Sequence, residues 1–226
     1  MPSLPPATQA LLLANVAVFF LERLIGGALF GPLALWPIGS GNFLPWQIVS
    51  YSFLHGSFEH LFFNMLGLWM FGGDVAAAWG PRRFLQYYLM TGIGAGIVIA
   101  LWQGALRLLF GTQGGATLGA SGALYGVLLA SSLLWPNRTV LLLFPPVPLR
   151  AIWMIPTFLL LDLIFVSQQV SVIGHLGGAL VGLLLLTGSG DAGVTISQLQ
   201  YRFRRWRMRN KLRALDGDDE RRRRFH

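Results

Sequence analysis

Ser121 and His175 are the residues of this chain best suited to do chemistry together. Ser121 lies in Gly119-Ala120-Ser121-Gly122, at the start of an apolar run, and His175 lies near the start of another. A serine hydroxyl becomes a good nucleophile only when a base removes its proton, and a neutral histidine can do so near pH 7. Polar residues inside membrane segments are costly and usually mark function. The pair therefore indicates a nucleophile and its base within a membrane.

Three other side chains are suited to complete such a site. His60 and Asn64 are four residues apart on one helix face, and both can donate hydrogen bonds to a developing oxyanion, as can the backbone N–H of Ser121. Tyr125, one turn after Ser121, is placed to pack on the imidazole of His175. The alternative is structural: the serine bonds a carbonyl of its own helix, and the other polar groups join neighbouring helices.

Asp162 is the acidic residue of the fifth apolar run, and it has two interpretations. It can orient His175, or it can hydrogen-bond to a neighbouring helix. We expect the structural role, with Asp162→Asn leaving activity largely unchanged, because nothing in the sequence connects this acid to the histidine. His55 and His60 resemble a pair of metal ligands, but no third ligand is evident nearby. We predict neither a metal nor a cofactor.

The composition is that of a membrane protein with a basic tail. Of 226 residues, 54% are hydrophobic and 12% are charged, against about 25% charged in soluble proteins. The lack of cysteine excludes disulfides, thiolate metal sites and a cysteine nucleophile. The net charge of +8 comes mainly from the segment Arg202 to Arg224. Its position predicts binding to anionic lipid at the membrane surface and not to nucleic acid.

Six apolar runs predict an all-α fold, a polytopic membrane bundle of six transmembrane helices, since a membrane helix needs roughly 20 mainly apolar residues. The runs cover about residues 8–30, 58–78, 82–106, 119–136, 150–167 and 173–188. The segment 31–57 is rich in aromatic residues and proline, which predicts a membrane-associated loop between the first two helices.

These runs divide the chain into three predicted parts. Residues 1–7 form an N-terminal cytosolic stub, with no cleaved signal peptide, residues 8–188 form the membrane domain, and residues 189–226 form a basic cytosolic tail. The positive-inside rule predicts that both termini are cytosolic, because Arg82, Arg83, Arg138, Arg150 and the tail then share the cytosolic side.

This orientation places the candidate site residues in one layer. The second, fourth and sixth runs all pass from outside to inside, so His60, Asn64, Ser121 and His175 lie at similar depth near the outer surface. Glycine pairs at four-residue spacing, Gly122/Gly126 and Gly178/Gly182, allow the fourth and sixth helices to approach closely. That contact would bring the serine and the histidine together.

Three short motifs, in this order, resemble the rhomboid intramembrane serine proteases. They are His55-Gly56-Ser57-Phe58-Glu59-His60 with Asn64, Gly119-Ala120-Ser121-Gly122, and Gly174-His175-Leu176-Gly177-Gly178. The resemblance covers about residues 8–188. It implies a prokaryotic-type enzyme of the cytoplasmic membrane that cleaves a transmembrane segment of a substrate protein near its outer end, using a Ser-His dyad without a third acid.

The resemblance also implies a role for individual residues. Ser121 matches the nucleophile and His175 the general base, while His60 and Asn64 match the oxyanion-stabilising side chains. Supporting positions are Gly119, the stacking aromatic Tyr125, and Gly178, a small residue at a close helix contact. The fifth span resembles the lateral gate of the family. The first loop often carries Trp-Arg in the family, whereas Trp46 is followed here by Gln47, a departure that concerns loop anchoring.

Two other functions rank lower. One is a rhomboid-like pseudoprotease, which binds membrane proteins without cleaving them. Loss of the serine or histidine, or a proline before the serine, would favour it. This chain retains Ser121 and His175 and has Ala120 before the serine. A small transporter or channel ranks last, because residues 1–110 and 111–188 show no convincing internal repeat. The sequence leaves the substrate, the cleavage site and the oligomeric state open.

Overall fold

The computed structural model describes residues 4–142, 146–165 and 169–188. In these ranges, three helical segments are long and apolar enough to cross a membrane: Pro6–Leu24, Phe58–Trp79 and Pro81–Phe110. Three shorter apolar helices are Ser121–Leu134, Ala151–Ile164 and Val172–Gly188. All six apolar runs are therefore helical, and the predicted membrane helical bundle is confirmed. The predicted tail, 189–226, and the first residues of the N-terminal stub lie outside the described residues.

The helices follow one another with short connections. They are α1 (Pro6–Leu24), α2 (Phe30–Leu33), α3 (Gln47–Ser50), α4 (Phe58–Gly67), α5 (Gly73–Trp79), α6 (Pro81–Phe110), α7 (Ser121–Leu134), α8 (Met154–Phe165) and α9 (Gln169–Gly188). A π-helical turn, Leu68–Gly72, joins α4 to α5 in one continuous segment. The chain up to Leu185 forms one compact unit, and α9 continues in sequence to Gly188.

A small antiparallel hairpin lies between α7 and α8. Its strands are β1 (Thr139–Leu141) and β2 (Pro148–Arg150), paired with Val140 opposite Leu149. The all-α prediction omitted this hairpin. Strands of three residues are too short to carry a readable alternation of apolar and polar positions.

Local signals in the sequence place the beginnings of the helices. Pro81 opens α6, where proline is tolerated because its missing N–H has no helical partner. Ser57 caps α4, and its hydroxyl accepts a hydrogen bond from the backbone N–H of His60 at 3.1 Å. This cap sets where α4 begins, and it thereby sets the depth of His60 along the bundle.

The ends of two helical segments meet on the side away from Ser121. Asp74, in α5, forms an ion pair with Arg138, which follows α7. Both side chains are well exposed, so the pair lies at the surface. The second and fourth apolar runs therefore finish at the same end of the bundle, as their predicted common direction requires.

The segment 31–57 is held together by a buried glutamine. Gln47 is fully buried, and its Oε1 accepts hydrogen bonds from the backbone N–H groups of Leu44 (3.0 Å) and Trp36 (3.3 Å). Its Nε2 donates to the carbonyl of Asn42 at 3.0 Å, with longer contacts to the carbonyls of Gly31 and Pro32. The residue that departs from Trp-Arg is thus itself the anchor of the loop.

The loop is also connected to the helices that carry the site. The Tyr51 hydroxyl donates to the carbonyl of Gly92 in α6 at 2.9 Å, and the Tyr51 carbonyl accepts from the N–H of Gly119 at 2.9 Å. Burial raises the pKa of Tyr51 well above its usual range, so the hydroxyl stays protonated and donates.

The loop also has an exposed apolar surface, formed by Ile38, Trp46 and Val49. Such a surface is what a membrane-associated loop needs.

Candidate active site

Ser121 is the first residue of α7, and a glycine turn leads into it. Gly119 has a φ of +122°, a conformation that side-chain-bearing residues rarely adopt. A Cβ at Gly119 would lie 2.7 Å from the ring of His60 and 3.8 Å from Ser121 Oγ. The absence of a side chain at this position therefore lets the imidazole of α4 come close to the half-buried serine of α7.

His175 lies in α9 and packs flat against α7. Its ring stacks on Tyr125 with a centroid separation of 4.2 Å and an interplanar angle of 8°. The histidine is 9% exposed and the tyrosine is buried. Because Tyr125 is one turn after Ser121, this stacking places the imidazole beside the N-terminal turn of α7.

Asp162 of α8 joins this group, with contacts to two neighbouring helices. Its Oδ2 lies 2.6 Å from His175 Nδ1, and the same oxygen accepts a hydrogen bond from the Tyr125 hydroxyl at 2.5 Å. The sequence did not indicate the contact with His175, because a separation of 13 residues does not reveal which faces of α8 and α9 meet. The available signal was the acid itself, since an ionisable residue in a membrane segment is a functional candidate by default.

The Ser121 hydroxyl makes no hydrogen bond to His175 in the part of the chain that the structure describes. The contact that brings their helices together is between glycines, Gly178 of α9 against Gly122 of α7. Since Nδ1 of His175 is occupied by Asp162, Nε2 is the ring nitrogen left for the serine. Catalytic hydrogen bonds are often long in unliganded enzymes and shorten when substrate binds.

Asn64 and His60 lie on the same side of α4, next to this group. Asn64 is 5% exposed, and its Nδ2 donates to the His60 carbonyl at 2.8 Å. An amide nitrogen carries two N–H donors, so one donor remains for another acceptor.

His55 lies behind His60 and is 1% exposed, with the two rings edge to face at 5.0 Å. Burial, and then the neighbouring His60, lower the pKa of His55 to about 4. The ring is therefore neutral at physiological pH. Within the described ranges, no group of three or more His, Asp or Glu side chains could hold a metal ion.

An apolar groove opens beside Tyr125, between the π-helical segment and α8. Its volume is about 410 Å³. The lining residues come from five elements and include Phe63, Met70, Leu124, Leu128, Leu141 and Phe158. Tyr125, which stacks on His175, is one of the lining residues, so an apolar segment seated in the groove would lie beside this tyrosine.

A model of the rhomboid domain matches residues 43–190, which include every side chain of this site. The chain belongs to the rhomboid family. Its apolar helices and this membership make it an integral membrane protein. As a rhomboid, it carries in Asp162 an acid that the family resemblance did not lead us to expect.

Several known rhomboids are similar to this chain. It is 42% identical over 102 residues to the mitochondrial Rhomboid protein 1 of Saccharomyces cerevisiae, covering 45% of this chain and 29% of that protein. It is 25% identical over 181 residues to the rhomboid protease GlpG of Yersinia pestis, and 28% identical over 183 residues to that of Yersinia enterocolitica. Each GlpG alignment covers 80% of this chain and 61% of the relative. The chain thus spans less than two thirds of these relatives.

Proposed function

We propose that this rhomboid is an intramembrane serine endopeptidase that hydrolyses a peptide bond in or near the outer end of a transmembrane segment of a substrate protein. The observation that carries the proposal is the packing of His175 on Tyr125, one turn from Ser121 at the beginning of α7. A serine and a basic nitrogen at one end of an apolar bundle match the needs of acyl transfer. Relatives that are named proteases support the reaction class.

In the proposed reaction, Ser121 Oγ forms a bond to the carbonyl carbon of the substrate while its proton passes to His175 Nε2. The oxyanion accepts hydrogen bonds from the Ser121 N–H, the second N–H of Asn64 and the ring of His60. The C–N bond then breaks, and the leaving amine takes the proton from Nε2. Water attacks the acyl-enzyme ester, giving its proton to Nε2, and the serine oxygen regains it as the acid product leaves.

The apolar groove beside Tyr125 supports entry of the substrate from the lipid between α4 and α8. A transmembrane helix shields its own carbonyls, so cleavage requires local unwinding near the site. Segments with glycine or other helix-weakening residues close to their outer end are therefore the expected substrates. We propose that residues 8–188 constitute this protease domain.

The proposed orientation puts the site at the outer face of a prokaryotic cytoplasmic membrane, with both termini cytosolic. The ion pair of Asp74 with Arg138 then lies on the cytosolic side, where positive residues are enriched. The basic segment from Arg202 is proposed to bind anionic lipid on the same side.

Labelling with a fluorophosphonate probe tests the serine directly. Purified wild-type protein is compared with Ser121→Ala and His175→Ala, each checked for an unchanged thermal unfolding transition. We expect labelling of the wild type and loss of labelling in both variants, because the probe reports an activated serine. A folded wild type that stays unlabelled in detergent and in lipid would instead favour the pseudoprotease.

A further inference from the structure

We infer that Asp162 is a positioning residue for His175, so that this rhomboid works with a Ser-His-Asp triad and not with a Ser-His dyad. The inference rests on the proposed protease function. The elements involved are α7, which provides the nucleophile, α9, which provides the base, and α8, which provides the carboxylate.

The first argument is the choice of ring nitrogen. Asp162 Oδ2 lies 2.6 Å from His175 Nδ1, well within hydrogen-bond distance. An ionised carboxylate can only accept, so Nδ1 carries the proton and donates it to the hydrogen bond. A neutral imidazole has one N–H, and Nε2 is then the basic nitrogen. The carboxylate thereby holds the histidine in the tautomer that can take a proton from Ser121.

The second argument is the fixed orientation of the ring. Stacking on Tyr125, at 4.2 Å and 8°, holds the plane of the imidazole, and the bond to Asp162 prevents rotation within that plane. The Tyr125 hydroxyl also donates to Oδ2 at 2.5 Å. One tyrosine thus supports the base and its acid together. The ring direction is determined before any substrate arrives, which is what efficient proton transfer requires.

The third argument is electrostatic. The side chains of Asp162 and His175 are only 14% and 11% exposed, and burying a carboxylate without partners is costly. When His175 accepts the serine proton it becomes a cation beside this anion, and their attraction is stronger in a poorly polarisable interior than in water. In this role the carboxylate accepts the hydrogen bond from the ring and does not take its proton.

A purely structural acid would be satisfied differently. Joining α8 to α7 requires the hydrogen bond from Tyr125 and no contact with a ring nitrogen of α9. The same chain contains such a structural carboxylate in Asp74, which pairs with Arg138 at the surface and has no part in the site. The two aspartates provide a matched pair for an experiment.

The experiment compares wild type, Asp162→Asn and Asp74→Asn in proteoliposomes with a transmembrane model substrate. We expect Asp162→Asn to lower kcat on the order of 100-fold with little change in KM, because the substrate still binds. The thermal unfolding midpoint is measured alongside. Asp74→Asn should keep the wild-type kcat and KM. Wild-type kcat in Asp162→Asn, or a loss that only parallels a loss of folded protein, would overturn the inference.

A second measurement does not depend on activity. The ¹⁵N chemical shifts of the His175 ring report which nitrogen carries the proton at neutral pH. We expect a protonated Nδ1 in the wild type and a larger population of the other tautomer in Asp162→Asn. A wild-type ring protonated at Nε2 would overturn the positioning role even if the enzyme is active. An inactive wild type with the expected tautomer would contradict the protease proposal and leave the positioning geometry standing.

Discussion

Gly178 in α9 lies so close to Gly122 in α7 that a Cβ on Gly178 would be 1.9 Å from the Gly122 carbonyl oxygen. No side chain fits at that distance, so the two backbones are in direct contact. Gly178 is three residues beyond His175, and Gly122 is the residue after Ser121. This single contact therefore sets how near the base comes to the nucleophile.

Gly178→Ala is expected to push α9 away from α7. Overpacking of this kind costs about 1–3 kcal/mol or more, and it also separates His175 from Ser121. We expect a lower thermal unfolding midpoint together with a loss of fluorophosphonate labelling in the protein that remains folded. Gly115→Ala serves as the control, because a Cβ there meets nothing within 4 Å. Equal behaviour of the two variants would show that the close helix contact is not needed.

Gln47→Ala is expected to loosen the segment 31–57. The substitution leaves the part-buried N–H groups of Trp36 and Leu44 without their acceptor, and a fully buried unpaired group costs about 1–3 kcal/mol. The measurement is thermal unfolding combined with limited proteolysis of the loop. Gln9→Ala is the matched control, since that exposed glutamine makes one hydrogen bond, to Leu4. A loop as protease-resistant as the wild type would contradict the anchoring role.

Asn64→Ala is expected to lower kcat by about 10²–10³-fold if the amide stabilises the oxyanion, a smaller loss than that of Ser121→Ala. Asn15→Ala is a close control, because Asn15 is also buried and also donates from Nδ2 to the carbonyl four residues earlier, at 2.8 Å. Both variants lose a similar helix contact. A kcat loss shared by both would remove Asn64 from the reaction.

Acid should destabilise the fold through His55. Folding lowers the pKa of His55 from 6.5 to about 4. As the pH falls, the unfolded chain therefore binds a proton at a higher pH than the folded protein does. The stabilising contribution of the neutral ring is complete above pH 6.5 and is lost progressively as the pH falls toward 4. Thermal midpoints are measured between pH 7.5 and about 4.5 for wild type and His55→Gln. A wild type whose midpoint falls no more steeply than that of the variant would contradict this assignment.

Several features of this protein could be inferred from local sequence. The six apolar runs are visible in composition, and each is helical in the structure. The cap at Ser57 and the prolines at helix starts are likewise local signals. Polar residues in apolar runs can be recognised without knowing how the helices pack. This made it possible to identify Ser121, His175 and Asn64.

Other features depended on how the helices are rotated and packed against one another. The contact of Asp162 with His175 requires particular faces of α8 and α9 to meet, and hydropathy is nearly uniform around such helices, so no periodicity indicates the face. Gln47 could not be recognised as the loop anchor, because its partners are backbone groups, which carry no side-chain pattern in the sequence. The His60 ring and Ser121 Oγ both lie close to Gly119, where a side chain would collide with the ring. This arrangement depends on three-dimensional packing. Local sequence specifies which residues are polar and which segments are helical, whereas close packing specifies which of those residues touch.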